Sequence, residues 1–237
     1  DRGIPAKHIN VETPFLEEHR DNKDHNTQVC SVVRESAPLS KIVSMPWFGG
    51  IKKEIIDWIF EHKDEIDIIN CSFTGVVGKD EFNRLKQLDI PIVCASGNNA
   101  NEDKISRPAR YDWTIAIGAA TESNGHVAGY SNKGKELDAV AYTGIYIPSY
   151  SYGYDKVFSF GGTSCASPYA CGMLACYLSW RKEKGLPRLN KEEIRQFIHD
   201  NSIDMYEEGH DYKSGYGLFA LPKEIPEVEN NPSPSPV

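Results

Sequence analysis

A chain of 237 residues with 40% apolar content is large enough to bury the core of one substantial domain. Its 34 acidic against 26 basic residues leave a formal net charge of −8, which argues against a nucleic-acid or anionic-membrane surface as partner. No run approaches the roughly 18 consecutive apolar residues of a membrane span. The opening "DRGIPAKHIN" has no apolar signal-peptide core, so a soluble chain is expected. A processed form stays open, because a mature chain no longer carries its targeting segment.

The chain begins with Asp1 ahead of an Arg-Gly pair, ordinarily turn chemistry, and His25 precedes the run "NTQVCSVV", which reads as helix or strand. Four short runs follow, "KIVSM" (41–45), "IDIINCS" (66–72), "IPIVCAS" (90–96) and "WTIAIGAA" (113–120). They are rich in β-branched residues, as buried parallel strands are. Between them, "IKKEIIDWIFEHK" (51–63) and "KDEFNRLKQL" (79–88) repeat apolar residues at helical spacing. This alternation predicts an α/β fold with a parallel sheet and helices on both faces.

From 121 to 160 the pattern turns to Gly, Ser, Asn and Tyr, predicting irregular structure with short strands at "ELDAVAY" and "VFSF". A long helix is expected from Ser164 to Gly185, with Pro168 in its first turn. "NKEEIRQFIHDNS" predicts a second helix capped by Asn190. Residues 1–222 read as one domain, and 223–237, "KEIPEVENNPSPSPV", as a proline-rich acidic tail or linker.

The six cysteines, at 30, 71, 94, 165, 171 and 176, sit mostly inside apolar runs and show no zinc-ligand spacing. Reduced, buried thiols are expected. They favour a cytoplasmic placement, with secretion after removal of an upstream segment as the alternative.

Parallel sheets gather their sites where strands end and helices begin. There, Ser164 at the start of the long helix is either an N-cap or a nucleophile whose oxyanion the helix amides would hold. His25 alone reads as a surface histidine, and Asn98 alone as a loop residue. Their order carries more: Asp1 in "DRGI", His25 in "HNTQV", Asn98 in "ASGNNAN", Ser164 in "GTSCASP".

In these motifs and their order the chain resembles the subtilisin-like serine proteases, the subtilase family (peptidase S8), over essentially residues 1–220. The resemblance implies the subtilisin-like three-layer α/β fold, with a mainly parallel central sheet and helices on both faces. It implies a serine endopeptidase working through an acyl-enzyme, with Ser164 as nucleophile, His25 as general base then acid, and Asp1 as the orienting carboxylate. Asn98 would supply the oxyanion hole together with the Ser164 N–H. Ser72, Phe73 and Thr74 would line the primary specificity pocket, with Ala95, Ser96 and Gly97 as the opposite wall and the base near Ile105, Ser106 and Arg107. Arg107 or Arg110 either favours an acidic substrate residue or is simply solvated.

Departures from the family pattern define the competing reading. Arg2, Asn26, Gln28 and Cys165 stand at altered motif positions, Asn26 being bulky enough to crowd the base and Thr74 to narrow the floor. Cys165 is either a reactive thiol of lowered pKa or a small packing residue. Asp1 has no strand before it in this sequence, which leaves Asp21 or Asp24 as weaker candidates for the carboxylate. The alternative is therefore a catalytically weak or inactive peptide-binding or regulatory module. An esterase of the α/β-hydrolase type would need GxSxG, which "GTSCA" does not supply.

No cofactor is called for and no metal ligand is named: "VCSVVRESAPLSK" has no room for the calcium loop that many family members carry after the histidine, and calcium at other sites stays open. The expected partner is a polypeptide substrate, with a propeptide or inhibitor in the same cleft. Nucleic acid and a membrane span are not expected.

Overall fold

The computed structural model describes residues 11–12, 14–15, 25–45, 52–75, 79–122, 125–148 and 157–223. Asp1, Arg2, Asp21, Asp24 and the tail from 224 onward lie outside the described residues.

The apolar runs fold as the alternation requires. Strands β1 (Val11–Glu12), β2 (Ile42–Val43), β3 (Ile69–Cys71), β4 (Ile92–Ala95), β5 (Ile115–Thr121) and β6 (Ala139–Thr143) come first, followed by β7 (Ile145–Pro148), β8 (Val157–Phe160), β9 (Ser202–Ile203) and β10 (Leu218–Phe219). The helices are α1 (His25–Ser36), α2 (Lys53–Glu61), α3 (Lys79–Arg84), α4 (Thr163–Glu183) and α5 (Lys191–Asp200). The central sheet runs β3-β4-β5-β6-β10-β9. All its pairings are parallel except that of β9 with β10. β1 pairs with β2, and β7 with β8, as two separate ribbons.

Successive residues of the central strands point to opposite faces, and two cores result. Val93, Ile115, Ile117, Ala139 and Ala141 pack with Ala166, Ala170 and Leu174 of α4 and with Ile194 and Ile198 of α5. Cys94, Ala116 and Val140 pack on the other side with Ile55, Ile56 and Ile59 of α2 and Phe82 of α3. This is the expected three-layer α/β arrangement. Cutting a fully buried Ile56 or Leu174 back to alanine would cost about 2–5 kcal/mol.

Two local features fix the helices. Asn190 caps α5 as its sequence predicts, accepting from the Glu192 and Glu193 amides while the Glu193 carboxylate accepts from the Asn190 N–H at 2.7 Å. Gly172 lets α1 approach α4 closely, since a Cβ there would collide with the Ser36 side chain.

β1, β7, β9 and β10 have no counterpart in the sequence-based expectations. They are two to four residues long, too short to show a period. The register that defines β10, Leu218 beside Val140, is set by distant chain.

Candidate active site

The carboxyl ends of parallel β3 and β4 lie side by side, with Cys71 opposite Cys94. The chain leaves β3 at Ser72 and β4 at Ser96, and α4 starts against both exits. Gly162 caps α4 at φ 85°, a conformation that favours glycine, and a Cβ there would sit 3.2 Å from Asn98 Nδ2. Ser164 is the second helical residue, so its N–H belongs to the first turn, where backbone donors lack intrahelical acceptors and the helix dipole favours negative charge.

Ser72 and Ser164 are bonded in both directions. Ser164 Oγ donates to the Ser72 carbonyl at 3.3 Å, and Ser72 Oγ donates to the Ser164 carbonyl at 3.2 Å. Pro168 explains the second bond. It is the sixth residue of α4, beyond the first turn where the sequence reading put it. Having no N–H, it cannot serve the carbonyl four residues back, which is that of Ser164; the Ser72 hydroxyl takes its place.

Asn70 stands behind this pair, donating to Ser72 Oγ at 2.9 Å and accepting from Ser167 Oγ at 2.6 Å. Sequence reasoning missed Asn70, because its partners lie as far as 101 residues away, at Cys171.

His25 opens α1, and its ring meets Phe160 edge-on at 5.7 Å. Phe160 ends β8, two residues before the α4 cap. Beneath lies a small core of Val29, Val32, Ile147, Phe160 and Cys165, which locks the start of α1 to the start of α4. Cys165 is fully buried, and that burial pushes its thiol up. The reactive reading with a lowered pKa is therefore overturned in favour of a packing role. Asn26 donates its side-chain amide to Ser44 Oγ at 2.6 Å.

Asn98 is oriented by Thr163, whose N–H and hydroxyl both donate to Asn98 Oδ1 at 2.9 Å. With the carbonyl end engaged, the amide NH₂ is the end left to donate. Thr163 Oγ1 also accepts from the Gly97 N–H at 3.2 Å, so one hydroxyl couples the β4 exit to the helix start. Thr163 is the second residue missed, its sequence signal being masked by the adjacent serine.

His25, Ser72, Phe73, Thr74 and Ser164 line one cavity of about 1790 Å³. Ala95 and Ser96 do not; both are buried, and Ser96 Oγ turns inward to the Asn132 carbonyl at 3.2 Å. Gly97 and Asn98 join the site through Thr163. Asp1 lies outside the described residues, so the carboxylate of the expected triad has no described position.

The fold and this cleft define a domain of the subtilisin-like α/β type. The chain belongs to the Subtilase family, peptidase S8, whose profile matches residues 16–217. It is 26% identical over 225 residues to the minor extracellular protease Epr of Bacillus subtilis (strain 168), covering 86% of this chain and 33% of that protein. It is 31% identical over 171 residues to subtilisin DY of Bacillus licheniformis, covering 69% of this chain and 58% of that one. The chain thus spans between a third and three fifths of the length of these relatives. Among solved structures, the patellamide maturation protease PatA is similar in fold at a TM-score of 0.71 and 18% identity, covering 90% of this chain and 87% of that one. A lanthipeptide protease follows at 0.69 and 18%, covering 92% and 82%.

Proposed function

We propose that this chain hydrolyses peptide bonds within polypeptides through an acyl-enzyme on Ser164. Ser164 Oγ attacks the carbonyl while His25 takes its proton and returns it to the leaving amine. A water deprotonated by His25 then releases the acyl group. Asp1 orients His25 and stabilises the imidazolium. The developing oxyanion is met by Asn98 Nδ2 and the Ser164 N–H, donors fixed before the reaction begins. The observation that carries the reading is that the His25 ring packs on Phe160, four residues before Ser164, while Thr163 engages the carbonyl end of Asn98 and leaves its amide to donate.

Ser72, Phe73, Thr74 and Gly97 form the substrate walls in this reading, and Ala95 and Ser96 act behind them as buried support. A propeptide or inhibitor would occupy the same cleft. Residues 1–222 act as one domain and 223–237 as its tail. Two relatives are named as extracellular proteases, which supports secretion; the cytoplasmic placement expected from the thiols finds no such support.

Digestion of an unfolded protein, followed by mass spectrometry of the fragments, tests the proposal. Internal cleavage that disappears in both Ser164→Ala and His25→Ala supports it. A folded parent that leaves the protein intact overturns it. One observation favours a second reading, a peptide-binding module of weak or no activity: Ser164 Oγ spends its proton on the Ser72 carbonyl. That reading predicts peptide binding by the parent without cleavage.

A further inference from the structure

A second cavity, of about 520 Å³, is lined by Thr74, Gly75, Asn101, Lys104, Ile105, Ser106, Arg107, Arg110 and Tyr111. One expected wall of the substrate pocket, at Thr74 with Gly75 beside it, lines this cavity, as does the expected base of Ile105, Ser106 and Arg107. Gly75 N–H donates to the Arg107 carbonyl at 2.9 Å, and Ser106 N–H donates to the Ser96 carbonyl at 2.8 Å. The Ser106 hydroxyl is further held by Asn132 Nδ2 at 3.1 Å. The floor is thereby tied to the β3 exit on one side and to the β4 exit on the other. Ser72 touches Ser164 Oγ, and Thr74 lies two residues further along, roughly 7 Å at about 3.3 Å per extended residue. That is the reach of one side chain from the attacked carbonyl.

Charge distinguishes this cavity. Among the described residues its lining includes Lys104, Arg107 and Arg110 and no carboxylate, on a chain whose net charge is −8. Neighbouring acids are engaged elsewhere: Glu102 pairs with Lys133 at 2.8 Å and Asp112 with Lys86 at 3.7 Å. Asp103 does not line the cavity. Among the described residues none of the three cations takes part in an ion pair, and the Arg107 guanidinium lies over the Tyr111 ring at 5.5 Å.

We infer that this cavity is the pocket for the substrate residue preceding the scissile bond and that it selects an acidic side chain, glutamate ahead of aspartate for its reach. The inference rests on the proposed hydrolysis at Ser164. It makes Lys104, Arg107 and Arg110 specificity determinants, acting by charge complementarity on a substrate of the acidic-peptide class.

The test uses internally quenched peptides identical except for Glu, Asp, Gln, Leu or Lys at that position, with cleavage points read by mass spectrometry. In parallel, labelled copies are titrated onto Ser164→Ala by fluorescence anisotropy, so that binding is measured without catalysis. For the parent, kcat/KM for Glu should exceed that for Gln about tenfold or more, and the ratio should shrink between 0.05 and 0.5 M NaCl. Arg107→Gln and Arg110→Gln should each narrow it, and the double change to glutamate should reverse it in favour of Lys. Cleavage without a Glu preference overturns the pocket and leaves the hydrolysis standing. Tighter binding of the Glu peptide with no cleavage by the parent upholds the pocket and removes the hydrolysis. No discrimination in either assay overturns the pocket whatever the fate of the chemistry.

Discussion

Ser72 and Ser164 hold each other by two hydrogen bonds, each from a side-chain hydroxyl to the other residue's main-chain carbonyl. The pair joins the exit of β3 to the second residue of α4, so the candidate nucleophile is referenced to the sheet and not to its helix alone. Ser72→Ala keeps the carbonyl that receives Ser164 Oγ but leaves the Ser164 carbonyl, which Pro168 cannot serve, without its donor. The expected cost is about 1–3 kcal/mol, read as a lower urea midpoint at unchanged slope. Asn70→Ala, which frees both Ser72 and Ser167, should lower kcat as well as stability, and Asn70→Asp should not restore it, since the carboxylate has no proton to give Ser72.

Asn98 and Thr163 should be separable by kinetics. Removing the amide in Asn98→Leu should lower kcat by on the order of 10²–10³, the loss that subtilisin itself shows for one such donor, with KM little changed. Thr163→Val keeps the backbone donor to Asn98 Oδ1 but drops the hydroxyl bonds to Asn98 and Gly97. About a tenfold loss in kcat is expected there, because an amide held by one bond is oriented less tightly than one held by two, and Thr163→Ser should restore most of it. An unchanged kcat in Asn98→Leu would remove Asn98 from the oxyanion hole.

The thiols make a prediction in pH. Burial pushes Cys94 and Cys171 well up and Cys165 up. In the folded chain they stay protonated at pH values where the unfolded chain ionises. The unfolded state then binds fewer protons, so stability falls as pH rises. The stabilisation is complete below the ordinary thiol range, about 8.5, and is lost above it at up to roughly 1.4 kcal/mol per pH unit per thiol. Urea midpoints at pH 7.5, 9 and 10 check this, and Cys94→Ala with Cys171→Ala should flatten the decline. All six cysteines are free and only Cys176 is exposed. Iodoacetamide on the folded protein should therefore label Cys176 first and spare Cys165.

Legibility in the sequence followed the range of the interactions. β4 and β5 were readable because their buried residues are consecutive and apolar, and α5 because Asn190 stands as a cap before an amphipathic run. Ser164, His25 and Asn98 were readable through motifs and their order. Pro168 was misplaced because helix starts are read to within a residue or two, and the substitute donor it needs lies 96 residues earlier at Ser72. The signal of Thr163 was masked by the adjacent serine, and Asn70 was missed because its bonds to Ser167 and Cys171 form only once β3 and α4 have met. Ala95 and Ser96 were expected on the resemblance alone to form the opposite wall, and their side chains are buried, with Ser96 Oγ donating to the Asn132 carbonyl.

The measurement that bears most directly on Ser164 as an activated nucleophile is intact-mass spectrometry after a fluorophosphonate probe. The parent, Ser164→Ala and His25→Ala are compared, each first shown to be folded by its urea transition. A single adduct on the parent, mapped to Ser164 and missing from both variants, is the predicted result. A folded parent that takes up no probe, or takes it up equally in His25→Ala, would contradict the account.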